Sequence, residues 1–322
     1  MRGSTRASAT RKGGRVMAIT EFNALSADQL PKQKTLWNHV TRMARLQPLG
    51  TAGFVVILVM VFAAIFADYV APYDPVIENY EYMLNPPGTF DETNERTFLL
   101  GTDAFGRDLF SRIIHGARTA LLVGFTASFI GAFAGLVLGV GSAYFGGYVD
   151  LIFQRLMDVF MAFPLVIMAL AIVAIFGTGT EKVIIAITIP FIPRCARVVR
   201  SSALALRELP YIDAARSIGY SHTRIIVRHM IPNVMAPFLI MLTAFVGQAI
   251  LLEASLSYLG LGVQEPTAAW GLMLQGGAEE FAESAPWVPI WPGVAITLAV
   301  FGFNLFGDAV RDVMDPKLRS QN

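Results

Sequence analysis

Apolar and polar positions in this chain fall into long blocks rather than short alternations. Residues 49–67, "LGTAGFVVILVMVFAAIFA", carry no charge and stop at Asp68. A hydrocarbon layer of about 30 Å takes roughly 20 mainly apolar residues per helix, so the run predicts a membrane span. Residues 121–144 predict a second span, rich in the Gly and Ala that let membrane helices approach closely. Residues 159–177, 234–252 and 288–306 predict a third, a fifth and a sixth. The fourth is shorter. Residues 183–193 are apolar, and Arg194, Arg197 and Arg200 follow on one helical face. That pattern predicts a helix leaving the membrane, its arginines reaching toward headgroups, with bends at Pro190 and Pro193.

Composition supports the same class. The chain is 54% hydrophobic and 15% charged, with a mean hydropathy of +0.54; soluble domains run nearer a quarter charged. The expectation is an all-α, polytopic membrane helical bundle of six transmembrane helices. The single Cys195 rules out an internal disulfide framework and fits no zinc spacing. The first 48 residues read as a polar, basic tail rather than a signal peptide, with Met17 as an alternative start.

Charge adds direction. Nine Lys and Arg precede the first span, whereas residues 68–100 hold only Arg96 against seven acids. Residues 194–234 carry seven Arg, and residues 255–289 have neither Lys nor Arg. Positive segments stay on the cytoplasmic side, so both termini are expected inside. The predicted organisation is a cytoplasmic tail (1–48), a first span with an outward acidic segment (49–118), a five-helix core (119–311) and a short cytoplasmic C-terminal tail (312–322).

One cytoplasmic stretch, residues 206–233, "LRELPYIDAARSIGYSHTRIIVRHMIPN", predicts two short helices. Pro210 suits a first helical turn and Asp213 lies at the positive end of that helix. Tyr211, Ile212, Ala215 and Ile218 form an apolar stripe, and Ala214 with Ala215 leaves a shallow surface. Gly219 can end the first helix in a left-handed conformation and Ser221 can cap the second, which runs to Ile231 and Pro232. Three readings are open: a DNA-binding helix-turn-helix, a solvated basic loop, or a docking hairpin for a partner protein. Attachment between spans leaves little freedom to enter a major groove, and a solvated loop does not explain the stripe. The docking reading is preferred, with nucleic acid not an expected partner.

The stretch Asp213-Ala214-Ala215, Gly219, His229-Met230-Ile231-Pro232 resembles the "EAA" loop of permease subunits in bacterial ABC importers, with Asp for Glu, His229 for Ile and Ile231 for Leu. "APYDP" (71–75), "LLGTDAFGRDLFSRIIHGAR" (99–118), "ASLSYLGLGVQEPTAAWGLML" (254–274) and "FNLFGDAVRDVMDPKLR" (303–319) are similar to segments of the dipeptide/oligopeptide/nickel branch, C-type subunit. Glu265 and Ala268 stand where that branch usually has Pro. The resemblance covers residues 35–319. It implies a multi-pass protein of the bacterial or archaeal cytoplasmic membrane whose hairpin seats in an ATPase subunit. It also implies a second permease subunit in a heterodimer, two ATP-binding subunits that hold ATP and Mg, and an extracytoplasmic substrate-binding protein. The implied cargo is dipeptides or oligopeptides, with nickel or another small solute as the alternative.

The chain itself carries no phosphate-binding G-x4-G-K-[ST] loop; "GTGTEKV" (177–183) lacks the required Gly-Lys-Ser/Thr order. No cofactor, metal or catalytic residue is therefore expected here, and the chain is read as a non-enzyme. His39, His115, His222 and His229 lack ligand spacing. Glu253, near a span end with Ser255 and Ser257 in reach, is either pathway-lining or structural. The outward block Gly101, Thr102, Asp103, Gly106, Arg107, Asp108 is either a gate or docking contact, or a cap held by internal salt bridges. Trp270 and Met273 read as an interfacial anchor in an outer loop. A rival from another class is an ion-gradient-driven secondary transporter.

Overall fold

Residues 47–314 are described by the structure, a computed structural model. The expected N-terminal tail, except Gln47 and Pro48, lies outside them, as do residues 315–322. The folded unit begins at Leu49.

The charge-free run forms α1 (Pro48–Ile65), followed by one turn, α2 (Ala67–Val70). The acidic segment then departs from an all-helical fold. It contains a 3₁₀ turn (Tyr80–Tyr82) and an antiparallel hairpin of β1 (Thr89–Asp91) and β2 (Arg96–Phe98), with Phe90 opposite Thr97. The cause is local: Asp91 Oδ1 accepts from Thr93 N at 2.9 Å and Asn94 N at 3.3 Å, closing the turn.

Helix α3 (Leu109–Phe145) starts well before the span expected from residue 121. Asp108 caps it, accepting from Ser111 N at 2.8 Å. The charges of Arg112, His115 and Arg118 find partners in the outward segment, so they do not end the helix. The expected third span is not one helix: α4 (Gly147–Met161) and α5 (Leu165–Phe176) meet at an angle of 89°. Pro164 disfavours helical geometry at Phe163 and starts the new axis. Helix α6 (Thr180–Arg207) stays helical through Pro190 and Pro193.

The hairpin follows as α7 (Pro210–Ser217) and α8 (His222–Ile225). Its second limb does not stop at Pro232. A π-helical turn (Ile226–Met230) and a 3₁₀ turn (Ile231–Val234) lead straight into α9 (Met235–Tyr258). Pro232 is tolerated because it sits in the first turn of its segment, where a missing N–H is harmless. Trp270 opens a helix rather than lying in a loop: α10 (Trp270–Glu280) precedes α11 (Trp287–Met314).

Helix α3 is the central post, and glycines determine how its neighbours fit. Gly131, Gly135 and Gly139, one turn apart, face α6. A Cβ on them would lie 2.8 Å from Phe191 Cβ, 2.6 Å from Cys195 Cβ and 2.6 Å from Ala196 O. Only glycine permits that approach. Gly124 meets Ile250 of α9, and Gly116 meets the Trp270 ring of α10. At the periphery α1 packs on α11 through Gly50, Gly53 and Gly302. Phe54, Leu58 and Phe62 of α1, and Leu122, Phe129 and Phe133 of α3, are exposed. Contiguous apolar faces of this kind suit lipid or a partner rather than water. Helices α1, α3, α8–α9 and α11 are each long and apolar enough to cross a membrane, and the bent α4–α5 pair makes a fifth.

Candidate functional site

The first helix of the hairpin and its turn form where the sequence predicts them, whereas the second helix ends at Ile225, short of the expected Pro232. Three backbone bonds end α7: Ile218 N to Ala214 O at 3.1 Å, Gly219 N to Arg216 O at 2.9 Å and Tyr220 N to Ala215 O at 3.1 Å. The last two form a Schellman motif, with Gly219 at φ +83° in the left-handed position. Ser221 Oγ then accepts from Arg224 N at 3.4 Å to start α8. Asp213 pairs with Arg216 at 3.1 Å on the exposed side.

The predicted apolar stripe divides in two. Ile212 and Ala215 are buried in this chain's own core with Ile225, Met230 and Val234, beside Tyr144, Val199 and Ala203 of α3 and α6. Their side chains are turned away from solvent. Tyr211 is 40% exposed and Ile218 72%; Val227, Asp213, Ala214, Gly219 and Pro232 also face outward, with Ile231 half-buried. Polar ties reinforce the seat. Tyr144 Oη lies 2.7 Å from His222 Nδ1, Arg207 donates to Ala143 O at 3.1 Å, and His229 stacks on Tyr220. Both histidines, which lack ligand spacing in the sequence, pack against aromatic partners here, and those partners come from outside their own helical turn.

Two of the arginines of α6 are paired within the chain. Arg197 donates to Asp158 at 2.5 Å, and Arg200 donates to Asp150 at 2.6 Å. Both acids lie on α4, which packs along α6, and a charge this close to lipid is cheaper paired. Among the described residues, Arg194 has only the Gln248 Oε1 amide oxygen, at 3.4 Å.

The outward block is a cap with an internal ionic lattice. Thr102, Asp103, Arg107 and Asp108 are buried. Arg107 binds Asp103 at 2.7 Å and Glu265 at 2.8 Å, and the fully buried Arg112 lies 3.5 Å from Glu265 and 3.7 Å from Asp103. Thr102 Oγ1 accepts from Asn85 N at 2.8 Å and donates to Tyr82 O at 2.5 Å. Gly101 and Gly106 have positive φ, and a Cβ on Gly106 would fall 1.7 Å from Asn79 O. Burial holds the Asp108 carboxyl above the usual carboxylate range, although Ser111 donates to it. Glu265, noted in the sequence only as a departure from proline, closes the lattice from a segment far along the chain. A cleft of about 60 Å³ lies beside it, between Phe105, Leu272 and Phe281.

Glu253 is 1% exposed, on α9. Ser257 Oγ donates to it at 2.7 Å and accepts from Val263 N at 3.1 Å. Ser255, the other candidate partner, donates to Leu251 O instead. Trp270 is an internal strut rather than an interfacial anchor, its Nε1 donating to Ile113 O at 2.9 Å, and Met273 is buried.

Residues 131–320 match the family described as binding-protein-dependent transport system inner membrane component, and residues 35–87 match the N-terminal TM domain of oligopeptide transport permease C. A Brucella abortus protein named as a peptide transport system permease is 42% identical over 269 residues, covering 84% of this chain and 88% of that one. The glutathione transport system permease of Escherichia coli strain 536 is 39% identical over 301 residues, covering 92% and 96%. Among solved structures, the inward-facing methionine ABC transporter aligns with a TM-score of 0.52 at 18% identity, over 63% of this chain and 96% of that one. That likeness concerns the fold.

Proposed function

Because the chain belongs to the family of binding-protein-dependent transport system inner membrane components, we propose that it is the force-receiving half of a peptide-importing ABC permease. It is a multi-pass membrane subunit, and ATP hydrolysis lies in separate subunits. Six spans follow if α6 is counted with α1, α3, the α4–α5 pair, α8–α9 and α11. The distribution of Lys and Arg then puts both termini and the hairpin in the cytoplasm. The partners are a second permease subunit in a heterodimer, two ATPases that hold ATP and Mg, and an extracytoplasmic binding protein in a bacterial setting. The cargo is a dipeptide or oligopeptide, the reading favoured over nickel by relatives named for peptide, dipeptide and glutathione transport.

One observation carries this reading. The hairpin offers Tyr211, Ile218 and Val227 to a partner while its other face is buried against the inner ends of α3 and α6. A partner that moves the exposed face must move the helices. Closure of the ATPase pair therefore tilts α3, α6 and α9 together and reopens the pathway on the other side. The outward cap and Glu253 are structural in this scheme: the lattice of Asp103, Arg107, Arg112 and Glu265 holds the outer ends while the inner ends are driven.

The test is transport by the complete assembly in proteoliposomes. Peptide uptake should require ATP and binding protein and stop with vanadate. Uptake by this chain alone, driven by a proton or sodium gradient, would replace the reading with secondary transport.

A further inference from the structure

Arg194 stands apart from its neighbours on α6. No ion pair among the described residues includes it, whereas Arg197 and Arg200 each hold an α4 aspartate. Its one polar contact among those residues is the neutral amide oxygen of Gln248, at 3.4 Å. On the six-span reading α6 crosses the membrane, and Arg194, fourteen residues into it, lies about 21 Å along the axis from the helix start, within a layer about 30 Å thick. An arginine at that depth is costly unless it meets an anion or water.

Its surroundings supply the second observation. Arg194 lines a pocket of about 40 Å³ with Phe160, Phe163, Met168 and Pro190, at the 89° break between α4 and α5. Backbone freed by a broken span is tolerated only where protein or a water-filled cavity covers it. Arg194 is the one charged group in the lining of this pocket, which is otherwise apolar. That volume is far below the roughly 300–1,000 Å³ of a whole-ligand site and equals about three waters, the room a single carboxylate group needs.

We propose that Arg194 and this pocket form a binding subsite for the terminal carboxylate of the peptide in transit. The inference rests on the peptide-import reading. A guanidinium binds a carboxylate through two parallel hydrogen bonds, and a neutral amide partner leaves it free to exchange. A lipid phosphate would supply similar chemistry, so the test separates the two.

The complete transporter, wild type and Arg194→Gln, is assayed in proteoliposomes with a free-acid peptide and its C-terminally amidated form. Arg194→Gln should lower free-acid uptake about tenfold or more and spare the amide, with basal ATP turnover retained. In a second measurement on the ATPase-bound permease without binding protein, maleimide labels Phe163→Cys. The free-acid peptide at millimolar concentration should slow labelling severalfold, and the amide, or Arg194→Gln, should abolish that protection. Equal loss for both peptides, or no protection in the parent, overturns the subsite in favour of a pairing role with the second permease. An effect confined to phosphatidylglycerol vesicles and absent in phosphatidylcholine assigns Arg194 to lipid and equally overturns it. Failure of the wild type to import any peptide refutes the import reading itself, a result distinct from these.

Discussion

Gly219 shows how much one backbone angle can decide. At φ +83° with open space around it, the position tolerates added volume but not an L side chain. A β-branched residue there costs about 1–2 kcal/mol through its Cβ alone and opposes the Schellman turn that sets the angle between α7 and α8. Gly219→Val should leave membrane insertion intact while peptide uptake falls about tenfold or more and ATP turnover continues. Parallel uptake and ATPase assays on the reconstituted assembly check this; normal coupling would remove the hairpin from the mechanism. The turn itself was legible, because Gly219 before Ser221 is a helix stop followed by a start. The split of the stripe was not. Ile212 and Ile218 are equally apolar, and only the inner ends of α3 and α6 decide which one is covered.

Among elements, the α3–α6 contact sets the architecture, and it is made of absent side chains. Gly135→Val would drive a Cβ to 2.6 Å from Cys195 Cβ and 2.9 Å from the Ala196 backbone nitrogen. Neither can retreat within a helix, so overpacking of about 1–3 kcal/mol follows. Gly141→Ala, on the same helix with nothing within 4 Å of the new Cβ, should instead stabilise by about 0.5–1 kcal/mol through lower chain entropy. Thermal unfolding of the two variants in one detergent should move in opposite directions. A lowered midpoint for both would show that helix propensity, not close approach, governs these glycines. Elements were harder to bound than to find. Hydropathy located α1, α9 and α11, but it placed the start of α3 too late, since charges such as Arg112 read as span ends until their partners are known. It also joined α4 to α5, because an apolar run stays apolar through the turn at Pro164.

For the whole molecule, the docking direction can be tested by geometry. Cysteine placed at Ile218, which is exposed, should crosslink to an ATPase subunit in the assembled transporter, whereas cysteine at the fully buried Ile212 should not. Capture from both, or from neither, would mean that the hairpin meets its motor by another face. The sequence by itself determined the solvent, the number of apolar runs, the charge asymmetry between loops, and the existence and turn of the hairpin. These depend on composition and local spacing, which are readable one segment at a time. Only the tertiary structure decided which charges are paired. Arg197 and Arg200 took acids from α4, Arg107 took Glu265 from a distant segment, and Arg194 was left with an amide. The physical reason is that an ion pair forms across a few ångströms of space, and nothing in the order of residues states which segments fold to that distance.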